Sequence, residues 1–502
     1  MTLDELIKPI QVALKVLERT GDQRVTITSL TDDSRKVESG SLFVAVKGER
    51  VDGHAYLERV VAAGAAAVVV ERNAAVGSIA SVRVQDSREA LGILGSRFYR
   101  DPSAALRMIG VTGTNGKTTT TYIVKTMLEA ASRQVGLIGT VVYLIGKESV
   151  PASHTTPGAL ELQHLFARMV EARLDTVVME VSSHALALDR TAGSEFDVAV
   201  FTNLTQDHLD FHVDMEGYFQ AKRKLFVELG RAGASKTRKR AIVNVDDSWG
   251  ARIREACAVP VWTYGLRHQA DVRAEDVKLS AAGTTFTLHS PLGSCVIQSR
   301  LVGEHNVYNL LADIGVVLHE GLTLDQVRSA VGAVSNVPGR FELVEAGQNF
   351  TVVVDYAHTE DALVRLLTAA QTLRTGRIIT VFGCGGDRDR TKRPKMGRAA
   401  VHYSDVVVLT SDNPRTEDPG AILREVEVGV KEALIDRAQV QYHMIADRRA
   451  AIEAAIREAK AGDMVLIAGK GHEDYQIVGT TKHHFDDREV ARETIVTFQS
   501  GV

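Results

Sequence analysis

Cysteine is scarce in this chain of 502 residues: Cys257, Cys295 and Cys384 are all there is. Three widely spaced thiols exclude a disulfide framework and a cysteine-built zinc cluster, and they fit a reducing cytoplasm. No apolar run approaches the roughly 18 residues of a membrane span. The start, Met1-Thr2-Leu3-Asp4-Glu5, lacks the basic-then-apolar pattern of a signal peptide. Export and anchoring are therefore not expected. Charge of one sign is also in short supply: the formal net charge is −4, with no basic block. That excludes nucleic acid as an expected partner and leaves local Arg and Lys clusters to handle any small anion. Repeats, heptads and low-complexity tracts are missing too, and a monomer is expected.

What is present is an ordinary globular composition, 45% apolar and 24% charged. At about 100–200 residues per domain, the length predicts three domains. The first α/β block, 1–102, carries strand-like runs at 42–46 and 67–70 and a helix near 56–63. In the second, 103–337, apolar runs at 108–111, 176–181, 198–201 and 241–245 alternate with helical spacing, as over 160–172. This predicts a doubly wound sheet of buried parallel strands. The break Asn336-Val337-Pro338-Gly339 opens a Rossmann-like third block, 338–502, with strands expected at 351–354, 378–382, 406–410 and 464–468.

The second block opens with Ile109-Gly110-Val111-Thr112-Gly113-Thr114-Asn115-Gly116-Lys117-Thr118-Thr119, an apolar strand, a Gly-rich turn and a helix start. Such a turn lets backbone N–H groups converge on phosphate oxygens, Lys117 adds a positive charge, and the Thr118 hydroxyl can reach a phosphate-bound Mg²⁺. The generic spacing asks for Gly where Val111 stands. Further on, Glu180-Val181-Ser182-Ser183-His184 and the run from Asn203 to His212 follow strands of the same sheet, where phosphates and metal lie in doubly wound folds. His208, Asp210 and His212 admit either a transition-metal site or a structural role. Lys222, within Lys222-Arg223-Lys224, reads by itself as a solvated surface lysine.

In the third block, strands are followed at once by Gly383-Cys384-Gly385-Gly386-Asp387-Arg388-Asp389-Arg390, by Ser411-Asp412-Asn413-Pro414-Arg415 and by Gly469-Lys470-Gly471-His472-Glu473. Ligands of parallel sheets bind at the carboxyl ends of strands, so these loops are predicted to converge. Arg388 and Arg415 suit carboxylates and Glu473 suits an ammonium, which together describe an amino acid.

Taken together, the motifs resemble the Mur ligases, amide-forming enzymes of peptidoglycan synthesis, over essentially the whole chain. Gly-Thr-Asn-Gly-Lys-Thr is the form of the phosphate loop seen in that family and in folylpolyglutamate synthetases. Asp33-Ser34-Arg35 with Gly40-Ser41-Leu42-Phe43-Val44-Ala45 resembles the uridine-binding N-terminal domain. His154-Thr155-Thr156-Pro157 resembles the muramoyl-peptide contact, and Gly303-Glu304-His305-Asn306-Val307-Tyr308-Asn309 the adenine-side segment. Asp412-Asn413-Pro414-Arg415 resembles the diaminopimelate signature.

The resemblance implies a three-domain α/β architecture: a UDP-substrate domain, a central P-loop ATP-binding domain and a Rossmann-like amino-acid domain. It implies an ATP-dependent, Mg²⁺-requiring ligase adding meso-2,6-diaminopimelate to the D-Glu γ-carboxylate of UDP-N-acetylmuramoyl-L-Ala-D-Glu through an acyl phosphate. Gly113, Thr114, Asn115, Gly116, Lys117, Thr118, Thr119, Asn309, Arg340 and Asp355 would contact the nucleotide. Ser34, Thr155, Thr156, Ser182 and Arg190 would hold the UDP-linked substrate. Arg388, Asp412, Asn413, Pro414, Arg415, Gly469 and Glu473 would hold diaminopimelate. Thr118, Glu180, His208 and a carbamylated Lys222 would form the metal sites, and Lys117, Glu180, His208 and Lys222 the catalytic set. A lysine-adding ligase and, from another class, a P-loop regulatory switch are the alternatives; the amino acid consumed, if any, separates them.

Overall fold

Strands covered on both faces need apolar residues at every position, whereas half-covered ones alternate. In the computed structural model, which describes residues 1–48, 51–73, 77–231, 235–280, 283–334 and 337–499, the runs Thr176–Glu180, Val198–Phe201, Ile378–Phe382 and Met464–Ala468 are buried throughout. Asn336, at the head of the expected Pro/Gly break, lies outside the described residues. The chain forms two compact units, Met1–Gly113 with Leu128–Thr202 and Phe211–Thr263, and Thr114–Met127 with Asn203–Asp210 and Tyr264–Val502.

The first unit contains a sheet in the order Val16–Thr20, Ala80–Val84, Ala67–Val70, Ser41–Val44, Ser29–Thr31. Its first pair is antiparallel and the rest are parallel. Leu3, Leu6, Leu42, Val82 and Leu94 pack beneath it. A second sheet runs Arg240–Asn244, Val198–Phe201, Arg107–Thr112, Thr176–Glu180, Val135–Ile138, all parallel. This is the doubly wound arrangement expected, but it continues into an antiparallel hairpin, Val142–Ile145 and Glu148–Pro151. That hairpin turns through Gly146 at φ +60°, a left-handed conformation that favours glycine. Its outer strand is largely exposed, so it lacks the continuous apolar signal of its neighbours.

The second unit contains an antiparallel meander, Val272–Ser280, Gly283–Ser290 and Gly293–Ser299, which the sequence reading did not anticipate. The helix Glu304–His319 follows, buried along nearly its whole length, then Leu324–Ala333 with a Thr323/Gln326 capping box. Its large sheet has the order Glu342–Leu343, Thr351–Asp355, Met464–Ala468, Ile378–Phe382, Val406–Leu409, Gln441–Met444. Only the first pair is antiparallel. Five parallel strands therefore end side by side, which brings together loops far apart in sequence. Among the described residues no helix is long and apolar enough to cross a membrane.

Candidate functional site

The phosphate loop is built mostly from neutral hydrogen bonds. Gly116 takes φ +88°, a left-handed turn that L side chains rarely adopt, and Lys117 opens the helix Lys117–Ala130. Thr114 N donates to Asn203 O at 2.8 Å and Thr114 Oγ1 to Thr205 O at 3.1 Å. Asn115 N donates to Asn203 Oδ1 at 3.0 Å, and Asn203 Nδ2 returns a bond to Asn115 O at 3.2 Å. One carboxylate joins this scaffold: Asn115 Nδ2 donates to Asp361 at 2.7 Å. Lys117 Nζ arches back to Thr114 O at 2.9 Å. Thr118 and Thr119 are buried at the head of the helix.

Arg340 donates through Nη2 to Thr118 Oγ1 at 3.2 Å and lies 4.8 Å over the Tyr356 ring, while its buried Nε has no hydrogen-bond partner among the described residues. Asp355 accepts from Phe341 N at 2.7 Å and Ala357 N at 2.8 Å; burial raises its pKa against the pull of Arg340. Asn309 is fixed on the buried helix by a 3.0 Å bond to Asn306 Oδ1. His208 takes φ +53° and pairs with Asp207 at 3.3 Å. Burial opposes ionisation of Asp207, but His208 and, after it, His358 and Lys117 outweigh that and hold its pKa low. Asp207 and Asp361 were not anticipated, being unremarkable acids in polar stretches.

In the first unit, five expected residues form one cluster. Glu180, 1% exposed, ends its strand and accepts from Thr140 N at 2.9 Å and Thr140 Oγ1 at 3.2 Å. Thr140 Oγ1 also lies 3.0 Å from Thr155 Oγ1. Thr156 Oγ1 donates to Glu180 O at 2.8 Å and accepts from Ser182 N at 3.0 Å, and Arg190 Nη1 donates to Thr156 O at 3.0 Å. Ser182 also caps the helix Ser183–Ala187. Ser34 is half-buried in the loop after Ser29–Thr31.

Lys222 corrects the solvated-lysine reading. It is 1% exposed on the inner face of the helix Met215–Leu229. Its Nζ donates to Gly113 O at 2.8 Å and sits 4.5 Å over the Tyr218 ring. The transition-metal reading of His208, Asp210 and His212 fails as well: among the described residues no group of three or more His, Cys, Asp or Glu is placed to hold a metal ion. His212 instead packs its ring against Phe211 and Tyr218.

The three loops of the large sheet do converge. Gly386 N donates to Asn413 O at 2.9 Å and Arg415 Nη1 to Gly386 O at 2.9 Å. A Cβ on Gly386 would fall 1.9 Å from Pro414 O, so the two loops touch only because this residue has none. Asn413 Nδ2 donates to Glu473 Oε2 at 2.8 Å. Lys470, fully buried, donates to Asn413 Oδ1 at 3.0 Å and Glu473 Oε2 at 3.3 Å, with Asp412 Oδ1 3.5 Å away. Burial and the neighbouring Asp412 raise the pKa of Glu473, and Lys470 opposes them. Arg415 takes φ +50°, a strained backbone for a non-glycine residue. It is held there by bonds from its N to Ile477 O at 3.1 Å and from Gly479 N to its O at 2.8 Å. Gly469, at φ +119°, donates to Asp355 O at 3.0 Å. Arg388 is exposed.

Buried Arg393 ties this assembly from behind, donating to Glu417 and Glu425 at 2.8–2.9 Å and to Gly385 O at 3.2 Å. Lys470 and Arg393 were also missed: Arg393 finds its acids on other elements, and Lys470 is buried by a contact to Asn413 on a loop far away in sequence.

Family models match three stretches: the Mur ligase family catalytic domain over 26–99, the Mur ligase middle domain over 111–317, and the Mur ligase glutamate ligase domain over 339–471. The UDP-N-acetylmuramoyl-L-alanyl-D-glutamate--2,6-diaminopimelate ligase of Geobacillus kaustophilus is 49% identical over 470 residues, covering 93% of this chain and 95% of its own. The protein of the same name from Geobacter metallireducens is 46% identical over 500 residues, covering 97% of each. A solved structure of an enzyme of that name superimposes with a TM-score of 0.72 at 33% identity, over 99% of both chains.

Proposed function

The chain belongs to the Mur ligase family, and from that premise we propose that it is the ATP-dependent ligase joining 2,6-diaminopimelate to UDP-N-acetylmuramoyl-L-Ala-D-Glu in peptidoglycan synthesis. The observation that carries the substrate reading is the convergence of the three strand-end loops. Together they carry the Arg415 guanidinium and the Glu473 and Asp412 carboxylates on loops tied to one another through Gly386, Asn413 and Lys470. Such a site matches a zwitterion. We keep 1–102, 103–337 and 338–502 as the domain division, with cytoplasmic monomers.

In the reaction, the γ-carboxylate of the D-Glu residue takes the γ-phosphoryl group of ATP, forming an acyl phosphate and releasing ADP. The amine of diaminopimelate then attacks the acyl carbon; the C–N bond forms, the C–O bond to phosphate breaks, and the amine proton is lost. Lys117 neutralises charge on the transferring phosphoryl oxygens. Thr155, Thr156, Ser182 and Arg190 hold the peptide end of the UDP-linked substrate, with Ser34 toward the uridine. Asn309, Arg340 and Asp355 hold the nucleoside side.

The donors available fit a hard cation rather than zinc: the Thr118 hydroxyl at the loop, and the buried Glu180 carboxylate in the first unit. Bound Mg²⁺ supplies charge neutralisation to the phosphates. His208 remains a metal-side assignment. Lys222 is proposed to be carbamylated, which would convert a buried ammonium into a carboxylate-like oxygen donor. A carbamate resonance from ¹³C-bicarbonate, absent in Lys222→Ala, checks this; identical spectra of the two proteins reject it.

The extra carboxylate that distinguishes diaminopimelate from lysine is assigned to Arg415. The test of the whole reading is phosphate release with ATP, Mg²⁺ and UDP-N-acetylmuramoyl-L-Ala-D-Glu, comparing diaminopimelate, L-lysine and no amino acid, with product masses. Tripeptide only with diaminopimelate supports it; product with lysine keeps the ligase and discards the specificity; release indifferent to any amino acid leaves a nucleotide switch.

A further inference from the structure

One more buried cation lies behind the amino-acid loops, and none of the chemistry above uses it. Arg448 is the first residue of the helix Arg448–Glu458, and its side chain is 0% exposed, as is that of Asp487. Its Nε and Nη2 donate to the two carboxylate oxygens of Asp487 at 2.8 and 2.6 Å. The rest of the fork turns toward the sheet: Nη1 donates to Ser411 O at 3.3 Å and Nη2 to Ala468 O at 3.1 Å. Ser411 leads into Asp412-Asn413-Pro414-Arg415, and Ala468 ends the strand before Gly469. One planar group thus ties the roots of two loops that leave different strands.

We propose that Arg448, oriented by Asp487, is a positioning residue that fixes the separation of the 412–415 and 469–473 loops and so sets the affinity for the incoming amino acid. The proposal rests on the reading of these loops as the diaminopimelate site. A device for stability alone would need only the ion pair, and buried ion pairs are poor stabilisers compared with apolar packing of the same volume. The bonds to two carbonyls, one at the root of each loop, are the feature that pairing leaves unexplained. Binding groups must be held within about 0.5 Å of productive geometry by a supporting layer of side chains, which is what this fork does. A lysine ammonium, a compact point charge, cannot span Asp487 and both carbonyls at once.

The test is steady-state kinetics of the full chain carrying Arg448→Lys and, separately, Asp487→Asn, with KM measured for each of the three substrates and folding checked by thermal melting. Arg448→Lys is expected to raise KM for diaminopimelate about tenfold, leaving those for ATP and the UDP-linked substrate within about twofold and kcat largely retained. Asp487→Asn should move the same constant in the same direction by about threefold. An unchanged diaminopimelate KM in a folded variant overturns the proposal, as does a parallel rise in all three constants. If Arg448→Lys does not fold, Asp487→Asn decides on the same criterion. A wild-type protein that forms no diaminopimelate product would overturn the underlying reading, visibly before any variant is made.

Discussion

The phosphate loop and the amino-acid loops sit at comparable places, the carboxyl ends of parallel strands, yet they are held by different means. The first is framed mostly by amides and hydroxyls of Asn203, Thr205 and Asn115, with Asp361, the Arg340 guanidinium on Thr118 and the Lys222 ammonium on Gly113 O among its charged partners. The second is framed by the buried cations Lys470, Arg393 and Arg448 with their acids. A loop that must receive a polyanion gains from neutral framing, which leaves Lys117 and the backbone N–H groups to do the attracting. A site for a zwitterion needs both signs in fixed places, and low-dielectric burial holds them there at the risk of leaving a charge unpaired.

Mutations sharpen the contrast in order of size. Lys117→Ala removes the mobile charge of the neutral loop, and kcat should fall about 10³-fold in the phosphate-release assay. A fall below tenfold would mean that the frame, not the lysine, does the work. Arg393→Met leaves Glu417 and Glu425 without their shared partner and should cost about 3 kcal/mol in urea unfolding, whereas Thr114→Ala should cost about 1. Equal costs would erase the distinction between the two frames. Arg415→Ala should reduce the preference for diaminopimelate over lysine about 10²-fold in paired kcat/KM measurements; preserved preference would move the recognition elsewhere.

The smallest effect concerns pH. Because burial and Asp412 raise the pKa of Glu473, this carboxyl takes up its proton earlier than an ordinary glutamate as pH falls. KM for diaminopimelate should then rise about threefold between neutral and mildly acidic buffer, and Glu473→Gln should abolish the slope. The linked stability has the opposite sign. A raised folded pKa costs stability above the unfolded value, and that cost is relieved as pH drops through the raised one.

The same contrast decides what could be read in advance. The phosphate loop is contiguous, so its glycines, Lys117 and Thr118 announce it. The amino-acid loops could be placed because each follows an uninterrupted apolar strand, and adjacency of strand ends does the rest. Their supports were invisible: Arg448 meets Asp487 on another helix, and Lys470 sits one residue past a glycine in a stretch that reads as polar loop. Lys222 was misread because Lys222-Arg223-Lys224 is a charged run, and helical periodicity turns only its first member inward. The Val142–Ile145 hairpin and the Val272–Ser299 meander escaped because half-exposed antiparallel strands alternate, and short alternations are common in loops too.

The stitching of Arg415 has one more consequence. Its own amide donates to Ile477 O in the hairpin Tyr475–Val478 and Thr481–His484, and the amide of Gly479, in the turn of that hairpin, donates back to Arg415 O, so neither proton can exchange with solvent until loop and hairpin part. Followed in deuterated water, the two form a clock on a single opening event. Slowing of both together on adding an amino acid would report occupancy of this corner without any turnover.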